Sequence, residues 1–409
     1  MPNCLIATFA QVLENTVMEL SLRVKDSAPS ATLAMAQKAR ELRAQGNDVI
    51  SLSIGEPDFN TPDFIKEAAK KAIDENYSHY TPVSGYPETK EAIIRKFKRV
   101  NGLDYKPSQV VVSTGAKQSL YNIFQSIITE GDEVIVPTPY WVTYSDIVKI
   151  SGGVPKYVET SINTGFKVTE EMLESSVSPK SKAIIFSSPN NPSGAVYDLE
   201  ELRIIARFAK KHDLIIIADE IYEHIIYSGK NISVASLPEA YDRTVTVNGL
   251  SKAFAMTGWR LGYIGAPEWI AKACELIQGQ VTSGANSITQ RAAITALDSD
   301  ISQIQYMVDA FKKRKQLMME WMSKIPVFKV AEPMGAFYMF PDVTGTFGKT
   351  YRGKTIYNAD DLTSLLLDEA LVATVSGTAF GDKNCIRISY AASEEQLNEA
   401  MTRIKEILS

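Results

Sequence analysis

Short runs of uninterrupted aliphatic residues constrain the fold of this chain more than any other feature. They occur at Val110–Val112, Val134–Val136, Ala183–Phe186 and Leu214–Ala218, and Val245-Thr246-Val247 is a further β-like run broken only by a threonine. A strand that alternates apolar and polar residues buries one face, whereas a continuous apolar run of this length buries both. Between the runs lie stretches at helical spacing, at Val142–Ile150, Thr169–Val177 and Leu199–His212. The alternation predicts an α/β fold with a largely parallel sheet covered by helices on both faces. Ligands of such sheets collect outside the carboxyl ends of the strands.

Polar and aromatic residues gather at those ends. The strand Gln109–Ser113 runs into Thr114-Gly115-Ala116-Lys117-Gln118, a glycine turn that opens a helix and presents free N–H groups to an anion. Tyr140 and Trp141 follow Pro137-Thr138-Pro139, Asn191 follows Ser187 to Asn190, Asp219 and Tyr222 follow Ile215 to Ala218, and Lys252 follows Thr244 to Val247. Each residue also has a plain explanation. Asn190 to Gly194 has the composition of a turn, Asp219 can cap the segment after its strand, and Trp141 can be a core or interface aromatic. Their shared placement at successive strand ends is what points to a site.

The stretch Asn248–Gly262, NGLSKAFAMTGWRLG, supplies two cations eight positions apart, Lys252 and Arg260. An ammonium is a poor nucleophile at neutral pH, but burial beside a second cation lowers its pKa, and a neutral lysine can form a Schiff base with a carbonyl. Arginine stays charged and presents a fork that matches phosphate. A carbonyl compound carrying a phosphate fits both, and pyridoxal 5'-phosphate is such a compound. A surface lysine and a structural arginine would explain the two cations taken alone.

The length of 409 residues predicts two domains, or a large one with a smaller satellite. A net charge of −5 argues against nucleic-acid and anionic-membrane partners. The longest apolar runs are too short to span a bilayer. Cys4, Cys274 and Cys385 lack metal or CxxC spacing, and His79, His212 and His224 are scattered, so no metal site and a reducing, cytoplasmic setting are expected. Residues 1–21 read as a loose N-terminal arm. Ser30–Gly46 then reads as an amphipathic helix, and Asp48–Ile54 as a strand leading to Gly55, either a plain turn glycine or one that lets the backbone approach a ligand. Helices are expected at Pro62–Asn76 and Glu88–Asn101, flanking an aromatic loop, Tyr77–Tyr86.

The stretches SIGEPDFNTP, STGAKQSLYNIF, PYWVTY, SSPNNPSGAVY, DEIYEHIIY, VNGLSKAFAMTGWRLGY, MGAFYMF and IRISYA occur in this order. With them the chain resembles, from about Leu22 to Leu408, a fold-type I pyridoxal-phosphate enzyme of the class I/II aminotransferases, closest to the bacterial-type Ib aspartate aminotransferases. The resemblance implies a large cofactor domain over 62–300 with three αβα layers, and a small α+β domain built from both ends of the chain, 22–61 and 301–409. It implies that Lys252 carries the cofactor and serves as the catalytic base, that Asp219 pairs with the ring nitrogen, and that Tyr222 and Asn191 bind the ring oxygen. Trp141 would stack on the ring. Arg260, Gly115, Ala116 and Tyr80 from a second subunit would hold the phosphate, which makes the protein a homodimer. Many relatives have a serine where this chain has Gly249.

For the substrate, the resemblance assigns the α-carboxylate to Arg387 with Gly55, Trp141 and Asn191 alongside. It assigns the side-chain carboxylate of aspartate or glutamate to Lys117, helped by hydroxyls near Pro29-Ser30-Ala31-Thr32. Transamination between aspartate and 2-oxoglutarate by a ping-pong route is the resulting expectation. Aromatic, prephenate or alanine transamination, carbon–sulfur lysis and cyclopropane formation are the alternatives that share the lysine.

Overall fold

The structure, a computed structural model, describes residues 19–25 and 30–409. Most of the expected N-terminal arm and Pro29 therefore lie outside the described residues. The first long helix is Ala31–Ala44, and the strand expected over Asp48–Ile54 is shorter, β1 (Ile50–Ser51). Seven strands follow: β2 (Val110–Ser113), β3 (Glu133–Pro137), β4 (Val154–Val158), β5 (Ser181–Ser187), β6 (Ile215–Asp219), β7 (Thr244–Gly249) and β8 (Gly262–Gly265). They form one sheet in the order β2-β8-β7-β6-β5-β3-β4. The pairs among β3 to β7 are all parallel, and only β8 runs against its two neighbours. The helices Ala116–Ile127, Leu199–Lys211 and Glu268–Val281 lie in the segments between or after these strands, and the sheet is buried between apolar clusters on its two sides.

Strand β8 was not legible as a strand, because its sequence is GYIG, with glycine at both ends. Both glycines answer to close approach. A Cβ at Gly262 would strike the backbone at Gly115 and Ala116, and one at Gly265 would strike the ring of Tyr105. The reversed strand thus lies flush against the turn that starts helix Ala116–Ile127.

The two chain ends meet elsewhere. Strand β9 (Tyr338–Met339) is followed by a hairpin, β10 (Thr350–Tyr351) with β11 (Lys354–Thr355), and then by β12 (Val372–Ala373), β13 (Val375–Ser376) and β14 (Ile386–Ser389). β1 pairs in parallel with β12, and β14 lies antiparallel between β13 and β9. Helices Gln305–Ser323, Ala359–Glu369 and Glu394–Leu408 share one apolar cluster with these short strands.

The helix expected over Glu88–Asn101 is regular from Pro87 to Lys96 and then widens into a π-turn, Phe97–Asn101. That turn borders a buried polar network. Lys96 forms an ion pair with Glu223, both side chains being almost wholly buried, and the Asn101 amide donates to Glu223 at 2.8 Å and to Glu220 at 3.3 Å. Burial alone would raise the Glu223 pKa, but the charges of Lys96 and His224 and the hydrogen bonds from Lys96 and Asn101 outweigh it, so the net shift is downward. Glu220 has no such cation of its own. Burial first, and the Glu223 charge next, push it up to about 8, so it is neutral at pH 7.

Removing one partner of a buried pair strands the other charge. Lys96→Met is therefore expected to cost about 3–5 kcal/mol, and the Lys96→Met/Glu223→Gln double variant to recover much of that. Chemical denaturation at pH 7 measures both. Because the Glu223 pKa is depressed on folding, its contribution is complete above its ordinary value of 4.5 and is lost as pH falls through the folded value, so the wild-type advantage over the double variant shrinks on acidification.

Candidate active site

One cavity of about 370 Å³ opens where the carboxyl ends of the main sheet face the strands built from the two chain ends. It collects residues from nine separated stretches of the chain. Gly55, Ala116, Lys117, Trp141 and Asn191 line it, with Asp219, Tyr222, Lys252, Arg260 and Arg387. Ser30 and Thr32 also line it. Gly115 sits directly behind the wall. Tyr80 is not part of this chain's cavity, since its side chain is 97% exposed.

Sheet topology explains the convergence. Trp141, Asn191, Asp219 and Lys252 follow or end parallel strands, so they share one edge. Arg260 precedes β8, which runs the other way, and Gly262 is in register with both Ser113 and Gly249. The start of β8 therefore lies at the same edge as the ends of β2 and β7. Arg260 itself has a left-handed backbone, φ 53°, and its guanidinium donates to the Thr257 carbonyl at 2.7 Å.

Gly115 has φ 87° and caps the helix Ala116–Ile127 without a side chain of its own. A Cβ there would collide with the Arg260 guanidinium. Glycine thus lets the arginine lie against the open N–H groups of the first helical turn, a cradle for a multiply charged anion. At Gly249 a Cβ would come within 2.9 Å of the Leu261 carbonyl oxygen, so a serine needs a backbone shift there, whereas Ser251 faces the cavity.

Lys252 donates to the Gly55 carbonyl at 2.7 Å. Burial pushes its pKa down to about 8; Glu56 opposes the shift, and the charges of Arg387 and Arg260 add to it. The Asp219 carboxylate accepts from the Tyr144 hydroxyl at 2.7 Å and from the Ile221 N–H at 3.1 Å. Burial raises its pKa, and among the described residues no cation forms an ion pair with it. A cationic nitrogen presented from the cavity would complete its environment.

Arg387 is 1% exposed. It donates to the Ser53 carbonyl at 2.6 Å and to the Asn191 side-chain oxygen at 3.0 Å, while its Nε has no partner. Burial lowers its pKa, and no carboxylate among the described residues neutralises it. Since the Asn191 oxygen is engaged, what this amide can offer a ligand is its NH2 group. Lys117 also lines the cavity, its Nζ 5.0 Å from the centre of the Trp141 ring. Burial and then Arg260 lower its pKa.

Several lining residues escaped the reading of the sequence, among them Tyr144, Glu56, Thr257 and Tyr338. Tyr144 follows Trp141 at helical spacing within PYWVTY, and Tyr338 lies within MGAFYMF, so both stood in recognisable stretches. The Glu56 carboxylate accepts a hydrogen bond from Thr257, which joins the loop after β1 to the loop after β7.

Residues 47–404 match the family described as aminotransferase class I and II. The chain belongs to this family. It is 44% identical to an aspartate aminotransferase of Geobacillus stearothermophilus over 96% of this chain and 99% of that protein. It is 45% identical to an aspartate/prephenate aminotransferase of Cereibacter sphaeroides, covering 92% and 95%. Among solved structures, an aspartate aminotransferase from Rhizobium meliloti superposes with a TM-score of 0.93 at 40% identity, covering 96% of this chain and 99% of that one. The Thermus thermophilus aspartate aminotransferase with maleate gives 0.91 at 41%, covering 96% and 100%. The fold is that of the fold-type I family, a mostly parallel central sheet with helices.

The protein is an aminotransferase dependent on pyridoxal 5'-phosphate. The residues present fit that group: an anion cradle at Gly115 and Arg260, an amine of lowered pKa at Lys252, and a buried carboxylate at Asp219 that lacks a cation.

Only the neutral amine adds to a carbonyl, which fixes the pH response of the apoprotein. Trapping of a small aldehyde at Lys252 by borohydride should quicken about tenfold per pH unit below pH 8 and level off above it. A rate that keeps rising to pH 10 at this site, read by peptide mass spectrometry, means that Lys252 behaves as an ordinary lysine.

Proposed function

We propose that the protein transfers the amino group of L-aspartate to 2-oxoglutarate, yielding oxaloacetate and L-glutamate by a ping-pong route. The observation that carries this reading is that one cavity holds the buried guanidinium of Arg387, the ammonium of Lys117 and, with them, Lys252. Two fixed cations select a dicarboxylate. Arg387 takes the α-carboxylate through its fork and its unpartnered Nε, next to the Gly55 backbone, and Lys117 takes the side-chain carboxylate beside Ser30 and Thr32. Relatives named for aspartate support the same choice.

When bound, pyridoxal 5'-phosphate supplies a carbonyl carbon that accepts nitrogen and an electron-poor ring that takes up the electrons released at the substrate α-carbon. Arg260 and the backbone of Gly115 and Ala116 hold its phosphate, Asp219 keeps the ring nitrogen protonated, and Tyr222 and Asn191 donate to the ring oxygen. Tyr144 orients the Asp219 carboxylate. Trp141 offers a flat face that sets how the substrate lies. Lys252 would anchor the cofactor, and its Nζ, when free, would take the proton from the substrate α-carbon. In the second half-reaction Nζ returns a proton to the α-carbon of the incoming 2-oxo acid. Gly55 and Arg387 both belong to the part built from the chain ends, so their contact with a substrate held at Lys252 draws that part over the main sheet, which expels water.

We divide the chain into a large unit, 62–300, and a small one, 22–61 with 301–409; the pairing of β1 with β12 supports that division. Two copies form the working enzyme, with Tyr80 of each reaching the phosphate site of the other. Its exposure, and the exposed Leu276 and Val281 on the helix under its loop, support this arrangement. No helix among the described residues is long and apolar enough to cross a membrane. The buried free thiols at Cys274 and Cys385 fit a reducing, cytoplasmic setting.

A lone lysine is a weaker carboxylate clamp than an arginine fork, and Lys117 lies over an indole that can receive a ring. Prephenate is therefore a second acceptor, as the names of several relatives state for those proteins. Lys117→Ala should lower kcat/KM for aspartate about 10- to 150-fold, the worth of one charged hydrogen bond, and leave aromatic donors almost unchanged. Unaltered aspartate turnover would sink the assignment of Lys117. Tyr80→Phe should weaken cofactor retention in dialysis without changing the dimer mass in sedimentation, and a monomeric wild type would remove the basis for a shared site. Ammonia release from any amino acid in the absence of a 2-oxo acid is not expected; its appearance would indicate a lyase.

A further inference from the structure

Tyr338 lines the cavity and touches both Tyr222 and Arg387. Its side chain is fully buried, and its strand β9 pairs with β14, which carries Arg387. The Tyr338 hydroxyl lies 2.7 Å from that of Tyr222, and the two rings meet edge to face with centroids 5.8 Å apart. The Arg387 guanidinium carbon sits 4.7 Å from the centre of the Tyr338 ring. A Cβ at Gly55 would collide with the Tyr338 hydroxyl, so that glycine is also what lets the phenol stand upright beneath the backbone that receives Lys252.

We propose that Tyr338 is a positioning residue with two separable parts: a hydroxyl that strengthens Tyr222 as a donor, and a ring that supports Arg387. The hydroxyl part rests on the role assigned above to Tyr222. If Tyr222 gives its proton to a ligand oxygen in the cavity, its own oxygen is left to accept, and Tyr338 is the hydroxyl in reach. The two phenols then form a directed chain, Tyr338 O–H to Tyr222 O–H to the ligand. A donor that is itself accepting a hydrogen bond is polarised and donates more strongly. The ring part follows from burial. A guanidinium removed from water with no carboxylate beside it gains from the negative face of an aromatic ring, and that face also fixes its plane for a bidentate grip.

The two parts predict different losses. Tyr338→Phe keeps the ring and removes the hydroxyl. In the holoenzyme without substrate, the pH midpoint of the cofactor's visible absorption change should rise by about 0.2 to 0.6 unit, because the deprotonated chromophore loses stabilisation at its ring oxygen. Tyr222→Phe, which removes the donor itself, should shift the midpoint the same way by about 1 to 2 units. Adding Tyr338→Phe to Tyr222→Phe should then change nothing further. KM for the amino acid should stay within about twofold of wild type in Tyr338→Phe, whereas Tyr338→Leu should raise it about 3- to 30-fold.

A Tyr338→Phe midpoint equal to wild type, or a full additional shift on top of Tyr222→Phe, overturns the hydroxyl part; an unchanged KM in folded Tyr338→Leu overturns the ring part. Should Tyr338→Leu fail to fold, the Phe variant and the double variant still decide the first part. A wild-type protein that binds no cofactor shows no visible band at all, and that result refutes the functional reading rather than the role of Tyr338.

Discussion

The pairing of Gly249 with Gly262 is the contact on which the site depends. Eight residues separate Lys252 from Arg260, and a parallel connection would have carried them to opposite ends of the sheet. Reversal of β8 instead returns the chain to the edge it had just left. The close fit of Gly262 against Gly115 and Ala116 then brings the helix Ala116–Ile127 to the same spot, so an amine, a guanidinium and an open helix N-terminus face one space. None of the three could hold a charged ligand alone in an interior of low dielectric; together they share the desolvation.

The segment Asp219–His224 divides its side chains between two buried polar environments. Asp219 and Tyr222 line the cavity, while Glu220, Glu223 and His224 turn toward Lys96 and Asn101 behind it. The cavity side has two groups, Asp219 and Arg387, that are hydrogen-bonded but have no ion-pair partner among the described residues. The rear has a paired and hydrogen-bonded set, with one acid kept neutral by its surroundings. Unpaired groups are expensive to bury and are found where a ligand completes them, whereas the satisfied network fixes the backbone that presents them.

Much of this was legible in the sequence. Apolar runs marked β2, β3, β5, β6 and β7 to within two residues, because a strand buried on both faces has no polar register to obscure its ends; β4, VPKYV, is largely exposed and has no such run. The positions of Lys252, Asp219, Asn191 and Trp141 followed from the rule that loops after parallel strands bear the chemistry. What escaped was whatever depended on distant partners. β8 has too few side chains to signal a strand; its place is set by Tyr105 and the turn at Gly115. Tyr144 acquires meaning only through Asp219, 75 residues on, and Tyr338 only through Tyr222, 116 residues back. The extended stretch before Gly55 ended early as a strand because beyond Leu52 the backbone turns to serve Arg387 and Lys252 rather than a neighbouring strand.

The parallel pairing of Ile50 with Val372 carries a cost during biosynthesis. A nascent chain leaving the ribosome at about 5 to 20 residues per second must wait roughly 15 to 60 s before the later strand emerges to receive the earlier one. Throughout that interval Ile50 and Leu52 lack the strand they pair with, although the central sheet can already close. The last piece of this enzyme to settle is therefore one of the first to be made, and its apolar residues are the ones a holding chaperone would meet.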